Sequence, residues 1–186
     1  GLNAELVYST TSRLLVELNR SPDHRQLFSE ITGPLPGDER ERLLRRYYHP
    51  YREWVEAQVR DAAEAGTRIV HVSSHSFTPV LDGDVRGADI GLLYDPRRRA
   101  EVDFCLAWQR ELRSGAPRLG VRRNYPYRGY DDGLTTYLRR RYPERAYCGV
   151  ELEVNQKHAL GDPAAWRALR RRLTASLQAV LGRSTI

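Results

Sequence analysis

Short β-branched runs alternate along this chain with longer stretches in which apolar residues recur at helical spacing. Residues 67–74, TRIVHVSS, predict a strand at the centre of a sheet, between helices over 38–65 and 95–114. Further strands are predicted over 13–18, 119–121 and 148–154, and further helices over 134–141 and 162–182. Alternating strands and helices indicate an α/β fold, and we expect three αβα layers around a mixed, largely parallel central sheet.

Proline, glycine and acidic residues mark the expected helix ends. Asp38 and Glu41 have the spacing of a capping box for the helix over 38–65, and Gly66 is placed to end it. Pro50 lies inside that helix and should kink or interrupt it near His49, giving two helical pieces or a bent one. Asp95 followed by proline predicts the start of the helix that runs to Ser114.

Composition narrows the class of protein further. The chain has 186 residues, 40% of them apolar and 29% charged, so we expect one domain with a real core. Because no apolar run approaches the ~18 residues of a membrane span and no signal peptide is visible, we expect a cytoplasmic protein. Cys105 and Cys148 lack CxxC spacing, and two buried thiols are favoured over a disulfide.

The formal net charge of +6 raises the question of nucleic-acid binding. Lys157 is the only lysine, and the arginine clusters at 97–99, 139–141 and 170–172 are dispersed and interleaved with acids. Such clusters are typical of solvated helix faces rather than of a phosphate-binding surface. Nucleic-acid binding is therefore the less favoured hypothesis.

Polar side chains follow the predicted strands. A histidine, two glutamates, asparagines and arginines fall at strand ends, where open α/β sheets bind ligands. They are Asn19, Arg20, His75, Arg123, Asn124, Glu151, Glu153 and Asn155. Groups of this kind suit metal-assisted attack on the carbonyl of an anionic substrate.

Five segments of the chain carry a resemblance to a known family: RLLVELNRS, HVSSHSFTPVLDG, RGADIGLLYD, VRRNYPYRGYDDGLTTYLR and GVELEVNQ. Together and in this order they resemble the N-formylglutamate amidohydrolase family. The resemblance implies a phosphorylase/hydrolase-like fold related to zinc carboxypeptidases and aspartoacylases. It also implies a zinc hydrolase that cleaves N-formyl-L-glutamate, or a related N-acyl acidic amino acid.

The resemblance assigns roles to individual residues. His75 matches a zinc ligand, and Glu153 matches the glutamate that takes the proton from the attacking water. Glu151 stays an alternative for that glutamate, because side chains two apart on a strand share a face. Asn19 and Arg20 are similar to a substrate-binding element in aspartoacylases, although Glu17 replaces its usual aspartate.

Further candidates for binding the substrate carboxylates are Arg86, Arg123 and Asn124, with Tyr127 as a hydroxyl donor. A guanidinium suits this task because its planar fork binds a carboxylate through two parallel hydrogen bonds. The expected partner is thus a small acidic N-acyl amino acid.

One departure from the family pattern concerns the metal. That pattern begins with a segment that contains a first zinc histidine, whereas residues 1–12 contain no histidine. Catalytic zinc takes three protein ligands, so we expect residues 1–186 to be a single amidohydrolase-like domain that is N-terminally incomplete, or a homologue without metal. A metal-free binding or scaffold protein that keeps the pocket is the main alternative to an active enzyme.

Overall fold

The structure is a computed structural model, and it describes Leu2 and residues 4–183. Its helices are α1 (Gly37–Leu43), a π-helical segment (Leu44–Tyr48), α2 (His49–Glu64), α3 (Arg99–Ser114), α4 (Leu134–Arg141) and α5 (Pro163–Arg183). Its strands are β1 (Ile69–Phe77), β2 (Val80–Leu81), β3 (Asp84–Val85), β4 (Ile90–Leu93), β5 (Val121–Arg123) and β6 (Tyr147–Asn155).

Four strands form the central sheet in the order β1-β6-β4-β5, and β2 and β3 form a separate hairpin. β5 runs parallel to β4, whereas β6 runs antiparallel to β4, with Glu153 beside Gly91. β1 and β6 are parallel, because the Ile69 N–H donates to the Ala146 carbonyl at one end of the pair and the Gln156 N–H donates to the Phe77 carbonyl at the other. The α/β class and the mixed, mostly parallel sheet flanked by helices are confirmed.

The described residues fall into two compact units. The first contains Val70–Asp131 and residues 148–183, and the second contains Ala4–Ile69 and Asp132–Tyr147. In the first unit, α3 and α5 pack on the sheet through a core that includes Trp108, Val150 and Leu177. Each such side chain contributes roughly 1.5–3 kcal/mol by leaving water.

The second unit has two smaller cores. One joins α2 to α4 through Val55, Val59 and Leu138, and the other gathers Val16, Leu27 and Tyr48. The strand predicted over 13–18 is wrong, because this segment forms turns. Its backbone bonds locally and to residues 27–32, where Thr32 Oγ1 donates to the Leu15 carbonyl, so no neighbouring strand is needed to pair it.

The helix predicted over 38–65 is not interrupted near Pro50, because Tyr48 and His49 keep right-handed helical backbone angles, but its hydrogen-bonding pattern changes there. The π-helical segment Leu44–Tyr48 lies directly before α2, and Pro50 occupies the first turn of α2, where a missing N–H costs least. Gly66, with φ of 70°, follows the end of α2 as predicted. The capping box is wrong, because Asp38 and Glu41 instead form ion pairs one turn along the helix, with Arg42 and Arg45 respectively.

Three further sheet and helix predictions need correction. β1 lies at an edge of the four-stranded sheet and not at its centre. The fully buried strand β4, Ile90–Leu93, was not predicted, since a run of four apolar residues has no diagnostic period. α3 begins at Arg99 because the Asp95 carboxylate accepts the Arg97 N–H and forms a turn there.

The remaining composition-based expectations concern thiols, charges and membranes. Cys105 and Cys148 are buried and form no disulfide, as predicted. The arginines at 97–99 pair with neighbouring acids, Asp95, Glu101 and Asp103. Across the described residues, no helix has both the length and the apolar character that crossing a bilayer requires.

Glu101 on α3 is a fully buried carboxylate, 0% exposed, at the point where β4 leaves β6. Its two oxygens accept the backbone N–H groups of Asp95 (2.9 Å) and Gly149 (3.1 Å). An ion pair with Arg98 at 3.1 Å offsets its charge. The side chain thus satisfies backbone groups that the end of the β4 ladder would otherwise leave unpaired.

We expect Glu101→Ala to lower the free energy of unfolding by about 3–5 kcal/mol, because it leaves the Arg98 charge and two amides in a buried site. Asp103→Ala on the same helix removes an ion pair to Arg99 whose two side chains are 53% and 83% exposed. It should cost no more than about 0.5 kcal/mol. Urea denaturation measures both values, and equal losses would contradict the assignment.

Candidate functional site

The two faces of β6 differ sharply in chemistry. Cys148, Val150, Leu152 and Val154 enter the core with α3 and α5, so the alternate side chains lie on the other face of the sheet. That face carries Glu151 and Glu153, which are only 9% and 5% exposed. Buried carboxylates are costly and are common in active sites, so this face of the sheet is the candidate functional site.

His75 lies beside Glu153. The hydrogen bonds at the two ends of the β1–β6 pair put Ile69 beside Tyr147 and Phe77 beside Asn155, and both strands have nine residues. This register places His75 next to Glu153 and Ser73 next to Glu151, all on one face. We call these four residues the acidic face.

A side-chain hydrogen bond orients His75 within the acidic face. Its Nε2 lies 2.9 Å from Ser73 Oγ, two residues back on the same face of β1. The β1–β6 register, and not this hydrogen bond, brings His75 beside Glu153. Nδ1 is the ring nitrogen that could bind another group without breaking the bond to Ser73.

The loop after β5 passes closely over the sheet next to Glu153. A Cβ on Gly91 would lie 1.9 Å from the Tyr125 carbonyl oxygen and 3.2 Å from Glu153 Cβ, so only glycine admits this approach. Asn124, with φ of 47°, holds the loop: its Oδ1 accepts the N–H groups of Tyr94 (3.0 Å) and Gly129 (3.1 Å).

Aromatic side chains continue the acidic face beyond His75. The rings of Phe77 and Tyr125 meet edge to face with centroids 6.5 Å apart. The Arg86 guanidinium lies 6.0 Å from the Phe77 ring and 5.1 Å from the Tyr127 ring, and its Nη1 donates to Tyr127 Oη at 2.9 Å. We call Phe77, Tyr125 and Tyr127 the aromatic rim.

The predicted binding residues of the first unit therefore fall into two places. Arg86 and Tyr127 are in direct contact at the aromatic rim. Arg123 is exposed at the end of β5, where its Nη1 donates to Tyr94 Oη at 3.3 Å. The Asn124 amide oxygen is engaged with backbone N–H groups, so the structure shows a loop-holding role for it beside the predicted one.

Asn19 and Arg20 belong to the second unit, where they join a separate network. Asn19 Oδ1 accepts the Leu134 N–H at 2.8 Å and so caps α4, and Arg20 Nη1 donates to the Asp132 carbonyl at 2.8 Å. Ser21 donates through both its N–H and its hydroxyl to the Asp132 carboxylate. Burial alone would raise the pKa of Asp132, but the Ser21 hydrogen bonds outweigh it and hold this pKa below its usual value.

Tyr48 and Arg52 also belong to that network, through hydrogen bonds to the backbone of Arg20. Both side chains donate to the Arg20 carbonyl, Tyr48 Oη at 2.6 Å and Arg52 Nη1 at 3.2 Å. Burial raises the pKa of Tyr48 to about 12, so its hydroxyl remains a proton donor at neutral pH. The backbone of Arg20 is thereby fixed by side chains that the sequence did not single out.

The family resemblance implies zinc, and the residues of the acidic face do not fit a complete zinc site. His75 is the single nitrogen ligand there, and a catalytic zinc ion takes three protein ligands. Among residues 2 and 4–183, no group of three or more His, Cys, Asp or Glu side chains could hold a metal ion.

Sequence reasoning missed Ser73, Phe77 and Gly91 as parts of this site. Ser73 and Phe77 flank His75 at i−2 and i+2, so the two-residue period of a strand would have placed them on its face. No sequence pattern points to Gly91. Only glycine fits there because of the Tyr125 carbonyl, 34 residues away in the chain.

The chain is similar to known proteins over most of its length. The family model described as N-formylglutamate amidohydrolase matches residues 1–160. The crystal structure of gene product Atu2144 from Agrobacterium tumefaciens is similar, with a TM-score of 0.69 and 28% identity. The alignment covers 91% of this chain and 69% of that one. A search of curated proteins gave no significant match.

We expect Gly91→Ala to lower the free energy of unfolding by about 1–3 kcal/mol, because the added methyl group overlaps the Tyr125 carbonyl. Gly87→Ala is the matched control, since its Cβ would meet nothing within 4 Å. Denaturant titration followed by circular dichroism compares the two. An unchanged midpoint for Gly91→Ala would show that the loop does not approach β4 this closely.

Proposed function

Because the chain belongs to the N-formylglutamate amidohydrolase family, we propose that it hydrolyses the amide bond of an N-acyl acidic amino acid. N-formyl-L-glutamate is the leading substrate, with formate and L-glutamate as products. An amidohydrolase family implies a small-molecule substrate. The observation that carries the proposal for this chain is the buried Glu153 beside His75 on one sheet face, with Arg86 at the adjoining aromatic rim.

Glu153 is the proposed general base. Hydrolysis joins a water oxygen to the formyl carbon and breaks the bond from that carbon to nitrogen. A carboxylate can take the proton that the water gives up and return it to the leaving nitrogen. Glu153 is the more buried of the two glutamates and lies beside His75, whereas Glu151 lies beside Ser73 and remains the alternative.

Arg86 is the proposed partner of a substrate carboxylate. Its stacking against Phe77 and its hydrogen bond to Tyr127 orient the guanidinium, so less side-chain freedom is lost on binding. Arg123 and Asn124 are proposed to assist at the end of β5. The roles of Asn19 and Arg20 in substrate binding stay predictions, which the resemblance alone supports.

Zinc is proposed as the metal to which His75 would contribute one nitrogen, and such a metal supplies an activated water. The described residues do not complete its ligand set. The proposal also places the protein in the cytoplasm, which agrees with two buried cysteines that form no disulfide.

The test of the base is formate release from N-formyl-L-glutamate, measured with zinc in excess. Glu153→Gln should lower kcat by about 10²–10⁴-fold, because the amide cannot take up the proton. Glu39→Gln on the exposed helix α1 is the matched control and should keep wild-type activity. Loss of activity in Glu151→Gln, with Glu153→Gln active, would transfer the role to Glu151.

The same assay separates the competing functions. Binding of N-formyl-L-glutamate without any formate release by the wild-type protein would replace hydrolysis by a binding or scaffold function. Affinity for duplex DNA or RNA that falls steeply with salt would instead support the nucleic-acid hypothesis.

For the metal, we expect the purified 186-residue chain to retain far less than one equivalent of zinc after dialysis, because a single histidine cannot hold it. Elemental analysis measures the content, and His75→Ala should remove most of what remains. His49→Ala, a change on α2, serves as the control. One equivalent of zinc in the wild-type chain would mean that this chain does hold a complete ligand set.

A further inference from the structure

Asn155 ends β6 two residues after Glu153 and is 0% exposed. Its side-chain Nδ2 donates to two backbone carbonyls of the segment that follows the β2–β3 hairpin, those of Arg86 (3.2 Å) and Ala88 (2.9 Å). Its Oδ1 accepts the Lys157 N–H at 3.0 Å. A primary amide is the side chain that offers two donors and an acceptor at this reach, so neither Asp nor Leu could replace these bonds.

A second group of contacts holds the other end of the same segment. The Asp89 carbonyl accepts the Asn155 N–H at 2.9 Å. The Asp89 carboxylate pairs with Lys157 and His158 and accepts the Gly120 N–H. Residues 86–89 are thus joined to the end of β6 through both backbone and side chains.

The position of the Arg86 backbone matters because it determines where the guanidinium can lie. Among the residues that the structure describes, the guanidinium contacts the Phe77 and Tyr127 rings and the Tyr127 hydroxyl. Phe77 lies on β1 beside Asn155, so the same strand pair that carries His75 and Glu153 also carries the surface on which Arg86 rests.

On the basis of the proposed function, we propose that Asn155 is a positioning residue that sets the distance between the carboxylate-binding Arg86 and the base Glu153. It acts through the Arg86 carbonyl and touches neither the substrate nor the reacting atoms. The separation of the two groups must match the separation of carboxylate and amide in the substrate, so a rigid link from β6 to residue 86 favours binding.

A double-mutant cycle tests this role, with KM and kcat for N-formyl-L-glutamate, and with its Kd by calorimetry in a Glu153→Gln background, where turnover is slow. Asn155→Asp keeps the shape but turns two donors into an acceptor facing two carbonyls. It should raise KM and Kd about tenfold with little change in kcat. Arg86→Ala should raise KM and Kd by a similar factor, and adding Asn155→Asp to it should change almost nothing further.

Asn155→Asp could fail to fold, since Asn155 is fully buried. Asp89→Asn is the second variant: it removes the charge that pairs with Lys157 and His158 on the same segment, and Asp89 is partly exposed. It should also raise KM in the wild-type background and not in Arg86→Ala. Asp103→Asn, an exposed change on α3, is the control with the same chemistry and should leave KM unchanged.

The outcomes separate this inference from the proposed function. Penalties that add fully in the double mutant, in a protein that turns over, would overturn the positioning role alone. No turnover, but coupled losses in Kd, would overturn the hydrolase and leave the positioning role for binding. A wild-type protein that neither binds nor hydrolyses N-formyl-L-glutamate would overturn both.

Discussion

The two-residue period of β6 is the constraint on which the rest of this structure depends. Every second side chain of the strand enters the apolar core under α3 and α5, which buries enough surface to hold the strand in place. The alternate side chains are then obliged to lie together on the other face. Glu151, Glu153 and Asn155 occupy that face because a slip by one residue would send all three into the core.

Loops around this strand are held by polar side chains rather than by apolar packing. Asn155 binds two carbonyls of one segment, Asn124 binds two N–H groups of another, and Glu101 bridges β6 to the chain after β4. Each replaces backbone pairing that the short strands cannot supply. The positions of the groups proposed for chemistry therefore depend on hydrogen bonds that require one particular side-chain type.

The Asp89 carboxyl group, which anchors residues 86–89 through Lys157 and His158, stays ionised at neutral pH although it is partly buried. Burial acts to raise the pKa of Asp89, but hydrogen bonds from Lys157, Gly120 and His158 outweigh it and lower that pKa below its usual value. A carboxyl group with a lowered pKa stabilises the fold above its unfolded-state pKa and loses this contribution as the pH falls through its folded-state pKa. The segment that carries Arg86 is thus anchored at neutral pH.

The sequence by itself determined the α/β class, the strands β1 and β6, the helices α2, α4 and α5, and the position of Glu153 on a strand, whereas His75 was expected after the strand over 67–74 and lies inside β1. These follow from periodicity, which is local. Only the tertiary structure decided that His75 lies beside Glu153, that Asn19 caps α4 115 residues away, and that only glycine fits at position 91. Strand register, distant capping and close approach join parts of the chain that are far apart, so no local pattern records them.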